Sequence, residues 1–145
     1  MEKRKLWITL IMLVFVFSVG VWVVDQGALN AGECRLIRIH GQTGGQTPLG
    51  LEPETVTIEK GTCLIWVNLA REEEVQVVFE EGKACKDVTK APVGFKMDAK
   101  SCYVTNYIPF GATSSLLFDE EGVFKYILKA GKSKLEGKIV VRASS

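Results

Sequence analysis

Histidine is almost absent from this chain, whose 145 residues contain only His40. A catalytic or metal centre built on several imidazoles is therefore excluded within one chain. A serine triad would have His40 as its only base, and Ser114, Ser115, Ser144 and Ser145 have no acid or base partner nearby in the sequence. We expect no enzymatic activity.

An excess of charge of either sign is also missing, because the formal net charge is +1. Proteins that bind nucleic acids usually carry a strongly basic patch, so we expect no nucleic-acid partner. The Gly-rich stretch at 41–50 lacks the Gly-Lys-Ser/Thr ending with which a phosphate-binding loop contacts nucleotides. We interpret it as a plain connecting loop.

Cysteine is scarce as well, with four residues. An even number of cysteines fits two disulfides in an exported domain. Cys85 and Cys102 flank a stretch without clear hydrophobic periodicity. A bridge that closes a loop of this size stabilises the fold by about 3 kcal/mol in the chain-entropy estimate. We therefore predict a Cys85–Cys102 disulfide.

One long segment without charge is present near the N-terminus, from Leu6 to Val24. As a helix it would span roughly 28 Å, close to the bilayer core of about 30 Å. Basic residues at 3–5 precede it, which predicts a cytoplasmic N-terminus and an exported remainder. We predict a single-pass anchor at residues 1–24 in the cytoplasmic membrane, with the rest on its periplasmic or extracellular side.

A cleaved signal peptide is the alternative interpretation of this segment. Its apolar core usually has about 7–15 residues and is followed by a cleavage site with small side chains. Cleavage after Ala31 would put Leu29 at the third position before the cut, and cleavage after Ala28 would put Gln26 there. Neither side chain is small. The uncleaved anchor is therefore favoured. Residues 25–32 form a short polar juncture, and residues 33–145 form the exported domain.

Short β-forming segments dominate this domain, and no amphipathic helix is evident. We predict seven to eight strands separated by turns, which is typical of an all-β sandwich. The predicted segments are 34–40, 54–60, 63–67, a strand leading to Phe79, 102–108, 111–118, one beginning at Gly122, and 139–141. Between the last two, residues 131–137 predict a basic, turn-rich loop.

Two stretches resemble the cupredoxins, the plastocyanin-like family. Pro53–Asn68 resembles the second and third strands of that family, with its Val-x-Val-x-x-Gly-x-x-Val-x-Trp-x-Asn pattern, and Gly122–Val141 resembles its closing hairpin. The resemblance covers about residues 33–142. It implies a cupredoxin-like Greek-key β-sandwich after the N-terminal transmembrane helix.

The family's type-1 copper ligands are two histidines, a cysteine and often a methionine. Their positions correspond here to Val75, Leu128, Gly131 and Leu135, or within alignment error to Glu74 and Ala130. None of these side chains suits a site that needs imidazole and thiolate ligands. We therefore expect no cofactor and no metal site, and we expect Leu128 and Leu135 to fill the pocket with hydrocarbon.

The resemblance also implies that the first and third strands lie side by side, which would pair Cys34 with Cys63 in a second disulfide. Free buried thiols are the alternative for this pair. Cys34 and His40 share a face of the first strand but lie about 20 Å apart, so they cannot bind one ion. We expect His40 to be an exposed residue at the strand end.

The functional expectation is a membrane-anchored, exported domain that acts as a structural or protein-binding accessory subunit of a membrane or envelope complex. The alternative is a copper-binding electron-transfer protein whose ligands are non-standard or supplied by a partner.

Overall fold

The computed structural model describes residues 33–42, 45–80 and 89–144. Of Ala91 it describes only the backbone. The predicted anchor, the juncture and Cys85 lie outside these ranges. Among the described residues there is no helix with the length and apolar character needed to cross a membrane. The account below therefore concerns the domain that begins at Glu33.

Eleven β-strands make up the described part of the chain. They are β1 Cys34–His40, β2 Gly50–Glu52, β3 Thr55–Glu59, β4 Thr62–Asn68, β5 Val75–Val78, β6 Thr89–Val93, β7 Phe95–Met97, β8 Tyr103–Thr105, β9 Thr113–Phe118, β10 Gly122–Ala130 and β11 Ser133–Arg142.

The strands form two sheets. Sheet A has the order β2-β1-β4-β9-β6, and sheet B has the order β3-β11-β10-β5-β8-β7. β1 pairs with β4 in parallel, as β3 does with β11, and the other pairs are antiparallel. The all-β sandwich predicted from the sequence is confirmed.

Alternating side chains place the core between the two sheets. In β3, Val56 and Ile58 are buried while Thr55, Thr57 and Glu59 are exposed, which is the period of two expected for a strand with one covered face. The same alternation runs through β4, β9, β10 and β11. The fully buried large side chains include Trp66, Phe79, Phe118, Phe124, Tyr126, Ile37, Ile39, Leu64, Leu116, Leu128 and Ile139.

The prediction of seven to eight strands was too low for the described residues. The additional strands are short or irregular. β2 and β7 have three residues each, and β6 contains Pro92 and a shift in its register against β9. Pro92 is tolerated because β6 lies at the edge of sheet A, where a missing N–H donor costs no ladder bond.

One further expectation was wrong. The strand predicted at 102–108 is limited to β8, and beyond it Ile108 makes only an isolated bridge with Val75. In β4, residues 63–67 are all apolar, yet Cys63, Ile65 and Val67 are only half-buried. The outer face of sheet A is therefore apolar and incompletely covered by the described residues.

Candidate functional site

The residues that align with copper ligands gather at one end of the sandwich. Val75 opens β5 directly opposite Ala130, and Leu128 lies opposite Val77 on the same pair of strands. Val75, Leu128 and Ala130 are fully buried. The structure therefore brings these sequence positions together, but their hydrocarbon side chains offer no lone pairs and provide packing only.

Leu135 completes this group from the neighbouring strand. It is the cross-strand partner of Leu128 in the β10–β11 ladder and packs, partly buried, against the core. Directly opposed side chains of an antiparallel pair lie about 4.5–5.5 Å apart at Cβ. The expected filling of this end of the sandwich by Leu128 and Leu135 agrees with that geometry.

The connection between β10 and β11 is much shorter than the sequence predicted. β10 ends at Ala130 and β11 begins at Ser133, so that only Gly131 and Lys132 form the turn. Gly131 has φ +54°, a left-handed conformation that glycine adopts at little cost. The loop predicted at 131–137 was wrong, because residues 133–137 belong to the ladder.

Asn68 holds the loops at this end of the molecule. Its Nδ2 donates hydrogen bonds to the carbonyl oxygens of Glu73 and Ile108, both at 2.8 Å. Its Oδ1 accepts one from the Ala70 N–H at 2.9 Å. The Asn68 side chain is fully buried, so these bonds satisfy its polar groups and tie the 69–74 loop to the 106–112 loop.

Three large apolar side chains are exposed beside this network. Leu69, Tyr107 and Phe110 have 42%, 62% and 59% of their surface accessible. Leu69 follows Asn68 directly in the chain. Tyr107 precedes Ile108, whose carbonyl accepts a hydrogen bond from the Asn68 side chain. Phe110 precedes Gly111, whose N–H donates to the Asn68 carbonyl at 2.7 Å. The three side chains, here called the end patch, therefore belong to one end of the sandwich.

Behind this end lies a cluster of aromatic rings. The ring of Trp66 makes edge contacts with Phe79, Phe95 and Tyr126 at centroid distances of 6.3, 5.3 and 5.6 Å. Edge-to-face pairs at such distances add about 0.5–1.5 kcal/mol each to the effect of burial. These contacts pack the four rings against one another between the two sheets.

The Tyr126 hydroxyl is the unusual polar group in this cluster. Burial raises the pKa of Tyr126 to about 12, and the nearby Trp66 indole acts weakly in the opposite direction. Neither the Trp66 Nε1 nor the Tyr126 hydroxyl has a partner with hydrogen-bond geometry among the described residues. Sequence reasoning gave no signal for this pair, since it depends on the register of two sheets.

The cysteines form a pair on the outer face of sheet A. Cys34 and Cys63 are register partners in the parallel β1–β4 pair, so the expected adjacency of these strands is confirmed. Both are free thiols in the structure, Cys34 exposed and Cys63 partly buried. The Cys34–Cys63 disulfide thus stays a prediction for an oxidising environment.

The Cys63 thiol is harder to ionise than an ordinary cysteine. Burial and then the Cys34 side chain raise the pKa of Cys63 to about 12. Cys102 is buried and disulfide-bonded, and Cys85 lies outside the described residues. The Cys85–Cys102 disulfide also stays a prediction.

The remaining candidate ligands are dispersed. His40 ends β1 and is partly buried, with its ring so close over Gly50 that a Cβ there would lie 2.6 Å from Cε1. Met97 is exposed on β7. Within residues 33–42, 45–80 and 89–144, no three His, Cys, Asp or Glu side chains are placed to hold one metal ion.

Comparison with solved structures places this fold beside the cupredoxins. The chain is similar to a point mutant of amicyanin in a Cu(I) form, with 16% identity over 75% of this chain and 82% of that one, at a TM-score of 0.49. It is also similar to amicyanin from Paracoccus versutus, with 16% identity over 80% and 87% of the two chains, at 0.47.

A purple cupredoxin from Nitrosopumilus maritimus is similar at 18% identity over 74% of this chain and 98% of that one, with a TM-score of 0.46. No protein-family model matches the chain, and no curated protein matches it. The described domain is the two-sheet β-sandwich that was predicted from the sequence. At these identities the likeness concerns the fold alone.

Proposed function

We propose that this chain is a membrane-anchored, exported cupredoxin-like module without a type-1 copper site, which acts as a structural or protein-binding accessory subunit and not as an enzyme. The observation that carries the proposal is the structure of the end where copper ligands would be expected. Val75 and Leu128 are fully buried hydrocarbon there, and a two-residue turn joins β10 to β11.

The framework around this end supports a role in binding rather than chemistry. Asn68 still fixes two loops through three hydrogen bonds, so the end patch is presented on a rigid base. Exposed apolar side chains grouped together mark surfaces that contact other proteins or membranes. Leu69, Tyr107 and Phe110 suit a protein partner with an apolar surface, because aromatic anchors contribute much of the energy of such interfaces.

Membrane attachment is the second part of the proposal, and it rests on the sequence. Residues 6–24 carry no charge and follow three basic residues, as expected for a single-pass anchor with its N-terminus in the cytoplasm. The domain would then lie on the periplasmic or extracellular side, in contact with other subunits of a membrane or envelope complex.

The absence of type-1 copper is tested by adding Cu(II) to the full-length chain in detergent and recording its visible and electron paramagnetic resonance spectra. We expect no intense thiolate-to-copper charge-transfer band. The Cys34→Ser/Cys63→Ser variant serves as a control, since it removes the two free thiols of the described domain. A strong band from the wild-type chain, at one copper per chain, would establish the electron-transfer alternative, and its loss in this variant would assign the thiolate ligand to this pair.

The binding role is tested by placing a photo-crosslinking residue at Tyr107 or Phe110 in native membranes. We expect a discrete adduct of higher mass at both positions. Val123 is a matched control, because it is an apolar residue 53% exposed at the other end of β10, opposite Val140. Equal adducts at all three positions, or none at Tyr107 and Phe110, would contradict the proposal.

A further inference from the structure

The thiols of Cys34 and Cys63 form a two-sulfur site on the outer face of sheet A. The two residues are direct register partners on parallel strands. Neighbouring strands lie about 4.8 Å apart, and side chains of register partners leave the sheet on the same face. The pair is therefore positioned by the backbone and not by chance contact of long side chains.

The surroundings of the pair favour an uncharged or weakly charged, polarisable occupant. Along the strands the next outward-facing partners are Leu36 and Ile65, and across β9 the register partner of Cys63 is Leu117. Cys34 is exposed and Cys63 partly buried, so that the site is open on the β1 side. An apolar border of this kind reduces the hydration of the two sulfurs, so that water competes less with a soft metal ion.

We infer that the Cys34–Cys63 pair, in the free-thiol form that the structure has, is a binding site for a soft monovalent metal ion, Cu(I), held by two thiolates. Thiolates select soft ions such as Cu(I), and Cu(I) accepts a linear arrangement of two ligands. With metal–sulfur bonds of about 2.3 Å, as in zinc thiolates, two sulfurs on opposite sides of an ion stand about 4.6 Å apart. Side chains of register partners on strands about 4.8 Å apart can reach this separation.

Binding involves no change of oxidation state. Two S–H bonds break, two S–Cu(I) bonds form and two protons pass to solvent, which leaves a bis-thiolate complex with a net charge of −1. No oxidant or reductant is consumed. The step is therefore a proton-for-metal exchange at two sulfur atoms.

The coordination number separates Cu(I) from zinc. Zinc in structural sites takes four ligands in a tetrahedron, and the described residues provide no cluster of three or more ligating side chains. Two thiolates alone satisfy Cu(I). We therefore expect discrimination against Zn(II) at this pair.

The site is distinct from the end of the sandwich where type-1 ligands would be expected. Cys63 precedes Asn68 by five residues on β4, which corresponds to about 16 Å along an extended strand. The inference goes beyond the proposed function, and either can fail without the other. Cu(I) bound by two thiolates is colourless, whereas type-1 copper is detected by its charge-transfer band.

The test is an anaerobic titration of the reduced full-length chain in detergent with Cu(I), in competition with a chromophoric Cu(I) chelator. We expect the chain to withdraw one Cu(I) more than the Cys34→Ser/Cys63→Ser variant. Each single variant, Cys34→Ser and Cys63→Ser, should lose this extra equivalent. Met97→Leu removes an exposed soft sulfur elsewhere and should leave it unchanged.

X-ray absorption of the loaded chain gives an independent readout, and we expect two sulfur neighbours around copper. Circular dichroism of each variant identifies any that fail to fold. The Met97→Leu result and the absorption spectrum of the wild-type chain then still decide the matter. Equal uptake by wild type and double variant, nitrogen-dominated coordination, or stoichiometric Zn(II) uptake at the pair in preference to Cu(I) would overturn the inference.

Discussion

Tyr126 and Gly137 show how one glycine determines the packing of the core. They are register partners on β10 and β11, and the phenol ring lies across the glycine. A Cβ at Gly137 would stand 2.0 Å from Cζ of Tyr126, far inside van der Waals contact. The ring is 2% exposed and enclosed by Trp66 and Phe79, so that it has no space into which it can move.

Gly137→Ala should therefore destabilise the domain by about 3 kcal/mol, at the upper end of the usual cost of overpacking a core. Chemical denaturation measures the loss. Tyr126→Ala removes the obstructing ring, so Gly137→Ala should cost much less in that background. A double-mutant cycle with no coupling between the two positions would refute this account, since contacting residues are expected to couple.

Tyr126 also makes stability depend on alkaline pH. Its folded-state pKa of about 12 lies above the ordinary value of 10.0 because burial disfavours the phenolate. The stabilisation is complete below pH 10 and declines as pH rises towards 12, by up to about 3 kcal/mol. Tyr126→Phe should remove this part of the decline, which denaturant midpoints between pH 9 and about 12 can measure. Parallel curves for both proteins would contradict it.

At the scale of elements, the β10–β11 hairpin contains the greatest difference between expectation and structure. The basic stretch at 131–137 favours a loop by composition, but Lys134 and Glu136 alternate with Leu135 and Gly137 in burial. That period of two was the available signal for a strand. Composition was misleading because the charged residues Lys134, Glu136 and Lys138 all lie on the solvent face of β11.

The leucine pair of this hairpin should contribute unequally to stability. Leu128→Ala removes a fully buried side chain and should cost about 3 kcal/mol. Leu135→Ala should cost about 1 kcal/mol, because that side chain is only partly buried and the site can fill with water. Thermal unfolding measures both, with Val123→Ala as an exposed control expected within about 0.5 kcal/mol of wild type. Equal losses at 128 and 135 would contradict the burial pattern.

The loops held by Asn68 provide a second prediction at this scale. Asn68→Ala leaves the Ala70 N–H and the Ile108 carbonyl without their side-chain partner in a buried region. Each such group costs about 1–3 kcal/mol, so the total loss should be about 3 kcal/mol. Hydrogen exchange should increase in the 69–74 and 106–112 loops before it does in β10. Unchanged exchange in these loops would show that other contacts hold them.

The sequence predicted regular strands well and irregular ones poorly. β1 was predicted at its observed bounds, and β3, β4 and β9 within two residues, because β-branched and aromatic side chains there alternate or cluster between turn residues. β6 contains Pro92, Gly94 separates it from β7, and both strands lie at sheet edges. Their formation depends on tertiary pairing with β9 and β8, which local pattern does not reveal.

The candidate site was predictable in its positions but not in its shape. The resemblance placed Val75, Leu128 and Leu135 at one end of the molecule, where the structure has them. It did not reveal that Ala130 faces Val75 or that Leu69, Tyr107 and Phe110 are exposed beside Asn68. Both features depend on register and on loop paths, which are set by contacts between residues distant in the sequence.

For the whole molecule, the described sandwich has its own core and its own strand pairing. Both sheets are completed by strands within residues 33–144, and the core cluster draws on β1, β3, β4, β5, β9, β10 and β11. A domain of this size with one continuous core is expected to fold cooperatively. Residues 1–24 should therefore be dispensable for folding but decisive for membrane attachment.

Deletion of residues 1–24 tests both statements in one experiment. The shortened chain should remain soluble without detergent, keep a β-rich circular dichroism spectrum and unfold in a single transition at the same denaturant midpoint as the full chain. Its membrane-bound fraction should disappear on carbonate extraction, because an apolar helix of about 20 residues is what retains a single-pass protein in the bilayer.

A matched control replaces Leu10 and Val14 with charged residues in the full chain, which should likewise abolish membrane retention without altering the unfolding midpoint. If the shortened chain stays in the membrane fraction, attachment would have to come from the exported domain itself, and the half-covered outer face of sheet A would be the surface to test next.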